Sequence, residues 1–134
     1  MPKIIEVSKN HKKLKIGKQQ YVGMAYYKEN TIYVNKNLPK QEKLTTIYHE
    51  KAHLKLRKLD KQKFRKDVIK ELKKSALWKQ MSKLHYRVEK IPEEIFCEIY
   101  GTLKSKEVPI EHYKAFGCKY PKTYKYFNNI MKKI

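Results

Sequence analysis

The stretch His49-Glu50-Lys51-Ala52-His53 sets two histidines four residues apart, with a glutamate directly after the first. In an α-helix, which turns about 100° per residue, positions four apart lie about 40° from each other on one face. Both imidazoles can therefore reach the same metal ion, and Glu50 lies beside that ion. The stretch therefore predicts an α-helix with a metal site on one face.

The H-E-x-x-H pattern of this stretch is typical of zinc peptidases. In such a site Zn²⁺ polarises a water molecule and the scissile carbonyl, and the glutamate removes a proton from that water. We therefore predict one Zn²⁺ per chain, with His49 and His53 as metal ligands and Glu50 as the catalytic general base. The predicted reaction is that of an endopeptidase, which hydrolyses a peptide bond within a protein substrate.

A third protein ligand is expected, because a catalytic zinc usually takes three and leaves one position for water. Residues 91–103 contain three glutamates but no lysine or arginine, in a chain whose formal net charge is +20. Two of them, Glu94 and Glu98, lie four apart and project from one helical face. We predict Glu94 as the third ligand and Glu98 as the acceptor of a hydrogen bond from the outer nitrogen of one histidine. Glu93 is better placed to cap the helix.

Three other residues stay open as the third ligand, namely His85, His112 and Asp60. His112 is also a candidate donor to the oxyanion that forms during hydrolysis, together with Tyr113. This second role is suggested by residue type alone.

The first 36 residues are predicted to be β-rich. Residues 4–7 form a short candidate strand, and residues 21–27 and Thr31–Asn35 are β-branched and aromatic runs on either side of a turn. We expect them to build a small antiparallel sheet. A substrate strand could then pair with the edge of the Thr31–Asn35 strand.

Residues 40–134 are predicted to be helical, because apolar residues recur there at helical spacing. His49 and His53 lie at the edge of the apolar arc of the first helix, which suits ligands at the border between core and cleft. A second helix is expected to be capped by Asp60. The expected helices cover residues 40–58, 60–84, a segment that begins at 91, and 120–134. The predicted fold is one α+β domain spanning residues 1–134, a small sheet followed by the active-site helix and further helices.

The charge balance predicts attraction to polyanions, since 33 lysines and arginines face 13 acidic residues. Nucleic acid is the commonest polyanion in a cell, so DNA or a DNA-bound protein is a candidate partner. The alternative is that lysine simply fills solvated positions. The presence of only three arginines, Arg57, Arg65 and Arg87, supports that alternative, because phosphate and base contacts favour arginine.

The location of the protein is predicted to be cytoplasmic. No apolar run is long enough to cross a bilayer, and the N-terminus lacks the apolar segment of a signal peptide. Cys97 and Cys118 have no paired spacing, which favours free thiols in a reducing compartment. No membrane partner is expected.

Four segments resemble the ImmA/IrrE family of small metallopeptidases. Residues 23–27 (GMAYY) and 30–35 (NTIYVN) look like the strand pair that precedes the family's active-site helix, and residues 45–53 (TTIYHEKAH) look like that helix. Residues 94–101 (EIFCEIYG) resemble the family's E-x-x-A-[DN]-x-F-A helix and the E-x-x-x-D ligand helix of thermolysin-like gluzincins. The resemblance covers roughly residues 21–105.

The resemblance implies a zincin-like fold in which Glu94 is the third zinc ligand and Glu98 the acid that supports a histidine. Glu98 replaces the commoner Asp or Asn, and the insert between His53 and Glu94 is larger than usual. Members of this family are often encoded on phages and other mobile elements, where some cleave a transcriptional repressor. A transcriptional regulator is therefore the kind of substrate that the resemblance implies.

Two other functions are considered beside the peptidase. In the first, the protein is a non-catalytic DNA- or protein-binding regulator, in which aromatic and basic residues between positions 113 and 127 contact bases and phosphates or simply pack the last helix. An intact Glu50 favours catalysis instead, since a structural metal site needs no general base. In the second, a SprT-like protease acts on proteins crosslinked to DNA. That family resembles this chain less, because the sequence lacks its histidine third ligand.

Overall fold

The N-terminal part of the chain forms five short strands in this computed structural model, which describes residues 1–59, 64–84 and 86–134. They are β1 (Lys3–Val7), β2 (Lys15–Ile16), β3 (Gln19–Gln20), β4 (Gly23–Tyr26) and β5 (Thr31–Asn35). β2 and β3 form a small separate hairpin that the sequence did not predict. The other three strands form the main sheet.

The main sheet has the strand order β1-β5-β4, so β5 is central. β4 and β5 form the predicted antiparallel hairpin, in which Gly23 lies opposite Val34 and Tyr26 opposite Thr31. Asn30 closes the turn with a positive φ of 48°, a conformation that asparagine tolerates well. The predicted antiparallel pairing is correct for β4 and β5 but not for β1, which pairs with β5 in parallel.

Six α-helices follow the sheet in the described residues, which confirms the α+β fold class. The first and the fourth match the predicted starts at residues 40 and 91, and the last lies within the predicted terminal helix. The fifth was not predicted. The helices are α1 (Lys40–Lys58), α2 (Lys66–Leu72), α3 (Ala76–Lys83), α4 (Ile91–Lys104), α5 (Ile110–Lys119) and α6 (Pro121–Lys133).

The prediction of one helix over residues 60–84 is wrong, because the chain turns between α2 and α3. Ser75 caps α3 there, since its hydroxyl accepts a hydrogen bond from the backbone N–H of Trp78 at 3.2 Å. Leu84 near the end of α3 is 62% exposed, whereas Trp78 is buried. Asp60, the expected cap, lies outside the described residues.

The hydrophobic core is centred on α4. Ile95, Phe96 and Ile99 are buried, and Phe96 meets Phe127 of α6 edge-to-face with ring centroids 5.2 Å apart. α4 packs most extensively against α1, so the helix that carries the glutamates lies beside the helix that carries the histidines.

Close approach of α4 and β4 to α1 depends on two glycines. A Cβ at Gly101 would lie 2.9 Å from the carbonyl oxygen of Thr45 and 3.1 Å from the backbone nitrogen of His49. A Cβ at Gly23 would overlap the methyl group of Thr46. α4 therefore contacts the backbone of α1 at Gly101, and β4 contacts the side chains of Thr46 and Glu50 at Gly23, both beside the histidines.

The two cysteines are free thiols, with Cys97 buried and Cys118 exposed. In the part of the chain that the structure describes, no helix combines the length and apolar character that crossing a membrane requires.

Candidate metal centre

Three side chains from α1 and α4 point their donor atoms at one position. The Nε2 atoms of His49 and His53 are 3.2 Å apart. One carboxylate oxygen of Glu94 lies 3.1 Å from Nε2 of His49, and the other lies 3.0 Å from Nε2 of His53. His49, Glu50 and His53 also offer ligand atoms within 4.8 Å of one another, so this group could hold a metal ion.

The separations of the three donors fit a tetrahedral zinc ion. With zinc–ligand distances of about 2.0–2.1 Å, two ligands of a tetrahedral ion lie about 3.3–3.4 Å apart. The two Nε2 atoms, and each Nε2 atom and its nearer Glu94 oxygen, are only slightly closer together, at 3.0–3.2 Å. An ion therefore fits after a small outward movement of the donors.

The outer nitrogens of both histidines contact carboxylates. Nδ1 of His49 is 2.9 Å from Glu98, and Nδ1 of His53 is 2.6 Å from Glu93. An ionised carboxylate only accepts hydrogen bonds, so each Nδ1 carries a hydrogen and each Nε2 of a neutral ring presents its lone pair to the shared position. Two lone pairs and a carboxylate that converge in this way repel one another, and a positive charge between them removes this repulsion.

Glu98 therefore lies where the sequence predicted it, beside the outer nitrogen of one histidine. The prediction that Glu93 serves only to cap α4 is wrong, because its carboxylate contacts the other histidine. The spacing of Glu93 could not show this contact, since it depends on how α4 is rotated against α1. The two glutamates together hold both imidazole rings in one orientation.

In the metal-free protein, protons supply the positive charge. Burial lowers the pKa of His49, but hydrogen bonds to Glu94 and Glu98 outweigh it and raise the pKa to about 9. For His53, burial also lowers the pKa, while contacts with Cys97, Glu93 and Glu94 raise it well above 6.5.

The Glu94 carboxylate has the opposite shift. Burial raises its pKa, but hydrogen bonds from His49 and His53 dominate and lower it to about 2. Glu94 is therefore an anion at neutral pH, as a metal ligand requires.

Glu50 is buried beside the donors. Burial raises its pKa, and the nearby charges of His53 and His49 lower it by smaller amounts. A carboxylate whose pKa is raised toward neutrality can both accept and return a proton, which is what general acid–base catalysis needs. β4 covers this residue closely, since Cγ of Glu50 lies 3.5 Å from the position of a Cβ at Gly23.

An open cleft of about 850 Å³ leads to these side chains. α1 contributes His49 and Glu50 to its wall, α4 contributes Glu94 and Glu98, and the segment before α4 contributes Tyr86. A cleft of this size accommodates several residues of an extended peptide. The centre is thus accessible from solvent although most of its atoms are buried.

Tyr86 is a cleft residue that the sequence did not single out. Burial, with smaller contributions from the charges of Glu94 and Glu50, raises the pKa of its hydroxyl to about 12. The phenol is therefore protonated and close enough to the two carboxylates to be influenced by them. A lone tyrosine in a lysine-rich segment carries no periodic or motif signal, so only the tertiary structure shows that it lines the cleft.

The predicted oxyanion donors lie elsewhere. The hydroxyl of Tyr113 donates a hydrogen bond to Asn128 at 2.7 Å, and the ring packs against Tyr124 between α5 and α6. His112 is exposed on α5, and neither residue lines the cleft. The assignment of His112 and Tyr113 as donors is therefore wrong. Two of the alternative third ligands, His85 and Asp60, lie outside the described residues.

The predicted pairing of a substrate with β5 is also wrong, because β1 and β4 occupy both edges of that strand. β4 is the edge strand beside the cleft, and Val22, Gly23 and Met24 line it. The carbonyl oxygen of Val22 accepts a hydrogen bond from the backbone N–H of Asn35. In an antiparallel pair, every second residue forms such bonds with the neighbouring strand. The backbone N–H and C=O groups of Gly23 and Ala25 therefore point away from β5.

Comparison with known proteins gave no relative: no protein-family model, curated protein or solved structure matches this chain. The geometry of the centre and the cleft is therefore the basis for assigning a function.

Proposed function

We propose that this protein is a zinc-dependent endopeptidase whose metal is held by His49, His53 and Glu94. The observation that carries the proposal is the convergence of their donor atoms at separations of 3.0–3.2 Å. Buried Glu50 beside these atoms and the open cleft in front of them support catalysis over a purely structural site, which has no use for a general base.

Zinc, when bound, supplies the positive charge that polarises the attacking water and the substrate carbonyl. The Glu50 carboxylate removes a proton from that water and delivers it to the amine of the leaving fragment. Its burial supports this role, since a raised pKa lets the carboxyl group keep the proton between the two transfers. Glu98 and Glu93 hold the imidazole rings of the two histidines in place.

The substrate binds as an extended strand along β4. The backbone groups of Gly23 and Ala25 face away from β5 and can form hydrogen bonds with a peptide backbone. A peptide that pairs with this edge in the antiparallel direction runs past Glu50, because Gly23 packs against α1 beside that residue. Tyr86 donates a hydrogen bond to the oxyanion of the tetrahedral intermediate.

A transcriptional regulator is the proposed kind of substrate. The resemblance of residues 45–53 and 94–101 to the two metal-binding helices of the ImmA/IrrE family supports this choice. The net charge of +20 also favours a DNA-bound or acidic protein as the target.

The first test is the zinc content of the purified protein and of two variants. We expect one zinc per chain in the wild type and a loss of stable binding in Glu94→Ala. Glu93→Ala should weaken zinc binding by about 10- to 100-fold, because it removes only the support of His53. Glu111→Ala, on the exposed surface of α5, is the control and should bind zinc normally. A wild-type protein without zinc after reconstitution would overturn the proposal.

Glu50→Gln then separates metal binding from catalysis. The variant should keep its zinc, since the ligands are unchanged. It should hydrolyse a peptide library about 10²- to 10⁴-fold more slowly, as measured by mass spectrometry. Glu42→Gln is the matched control, because Glu42 lines the same cleft and lies two turns earlier on α1. Undiminished cleavage by Glu50→Gln would exclude the general-base role.

A further inference from the structure

A group of exposed lysines lies where the end of α2 meets the junction of α5 and α6. Lys70 lies on α2, Lys74 lies in the turn that follows it, and Lys119 and Lys122 flank the junction. Two contacts bring these segments together: the hydroxyl of Tyr120 reaches the carbonyl oxygen of Lys74 at 3.5 Å, and the backbone N–H of Lys122 reaches Glu71 at 3.3 Å. We call Lys70, Lys74, Lys119 and Lys122 the junction lysines.

The acidic residues near the junction lysines form no ion pair with a lysine side chain of the described chain. The carboxylate of Glu71 accepts hydrogen bonds from Lys122 N–H and from the backbone and hydroxyl of Thr123, so it caps α6. Asp67 pairs with Arg65 through both carboxylate oxygens. Glu71 therefore offsets one of the four lysine charges, and the surface stays net positive.

The same imbalance holds across the described residues, because few of their lysines pair with a carboxylate. Glu50, Glu93, Glu94 and Glu98 surround the histidines. Among the described residues, ion pairs of lysine and arginine with acids are formed by Lys13, Lys43 and Arg65. The junction lysines are thus available to an external anion.

We propose that the junction lysines form a surface that binds the phosphate backbone of double-stranded nucleic acid without regard to sequence. Lysine is a flexible point charge, which suits phosphates, whereas base recognition favours arginine forks. A bilayer is a poorer fit, because the large exposed hydrophobic residues of the described chain do not lie on α2 or α6, and Ile110 lies at the opposite end of α5 from Lys119. Charge complementarity therefore favours a rigid polyanion.

The proposed surface is separate from the metal centre. None of the residues that line the 850 Å³ cleft belongs to α2, α5 or α6. Bound nucleic acid would leave the cleft open, so a peptidase held in this way could reach proteins on the same duplex. The binding itself requires neither zinc nor hydrolysis, so it can fail or succeed independently of the proposed function.

The test measures binding of a fluorescent mixed-sequence DNA duplex by anisotropy across a series of salt concentrations. The full-length protein is compared with a variant in which all four junction lysines are replaced by Gln. The control replaces four exposed lysines of the N-terminal region by Gln, namely Lys9, Lys18, Lys28 and Lys36. Both variants lose the same net charge, so any difference between them is due to position.

We expect the wild type to bind with a steep salt dependence, and the junction variant to lose about 3.6 from the slope of log K against log salt. Its affinity at fixed low salt should fall at least about tenfold, while the control variant stays within about threefold of the wild type. Equal weakening of the two variants would overturn the proposal, because net charge would then suffice. Absence of binding at low salt would also overturn it. So would equally tight, junction-dependent binding of polyglutamate or of phosphatidylserine vesicles.

Discussion

Tyr86 is the residue whose role depends most on the tertiary structure. Tyr86→Phe should keep its zinc and its fold but lower kcat by about 10²-fold, because the hydroxyl is needed only once charge develops on the oxyanion. KM should change little, since the ring that lines the cleft is retained. Steady-state kinetics with a cleaved peptide check this expectation.

Tyr21→Phe provides the matched control for Tyr86→Phe. Tyr21 lines the same cleft, but its hydroxyl donates to the side chain of Gln19 at 2.6 Å and is directed there. Its removal should leave kcat nearly unchanged. An equal loss of kcat in both variants would show that cleft tyrosines act through packing rather than through a proton donated to the substrate.

At the scale of the elements, the contact between α1 and α4 sets the geometry of the metal centre. Gly101→Ala should push α4 away from α1, because the new methyl group would meet backbone atoms of Thr45 and His49 that cannot rotate aside. We expect a destabilisation of about 1–3 kcal/mol from overpacking, of which the better helix propensity of alanine offsets about 1 kcal/mol. Zinc affinity should fall as well, since Glu94 moves with α4.

Gly117→Ala separates the two effects of Gly101→Ala. A Cβ at Gly117 would overlap the ring of Tyr124, so this variant also disturbs a helix contact, but at α5 and α6 and away from the histidines. Urea unfolding and zinc titration of both variants check the prediction. Both should be less stable, and only Gly101→Ala should bind zinc more weakly; normal zinc affinity in Gly101→Ala would contradict the role assigned to this contact.

At the scale of the whole molecule, the charged cluster makes the stability of the metal-free protein depend on pH. The pKa of His49 is raised from 6.5 to about 9, so its contribution is fully present below pH 6.5 and is lost as the pH rises through about 9. The pKa of Glu94 is lowered from 4.5 to about 2, so its contribution is present above pH 4.5 and is lost as the pH falls toward 2.

The cluster should therefore stabilise the metal-free protein most between pH 4.5 and 6.5. The difference in free energy of unfolding between the wild type and Glu94→Gln isolates this contribution from the general repulsion of a +20 chain. Urea denaturation across the pH range measures it. With zinc bound, the stabilisation should instead grow above pH 6.5, because the metal needs deprotonated histidines. A difference that stays constant with pH would rule out the cluster as its source.

Local patterns predicted the elements that are defined by their own residues. The spacing within Lys40–Lys58 gave the bounds of α1, and the β-branched run at Thr31–Asn35 gave those of β5. The break between α2 and α3 was not predicted. A serine within a helical pattern can also lie inside a helix, and Ser75 acts as a cap because the chain turns there. The parallel pairing of β1 with β5 was not predicted either, because no local signal encodes which edge of β5 a distant strand will join.

The sequence by itself determined the chemistry of the centre: two histidines on one face of α1, a glutamate between them and an acidic segment that could supply more oxygen atoms. Only the tertiary structure decided which acid meets which nitrogen, so that Glu93 contacts His53, Glu98 contacts His49 and Glu94 contacts both. It also brought Tyr86 to the cleft and kept Tyr113 in the core. The physical reason is that helical periodicity fixes which side chains share a face, whereas the rotation and distance of one helix against another depend on close packing, here allowed by Gly101.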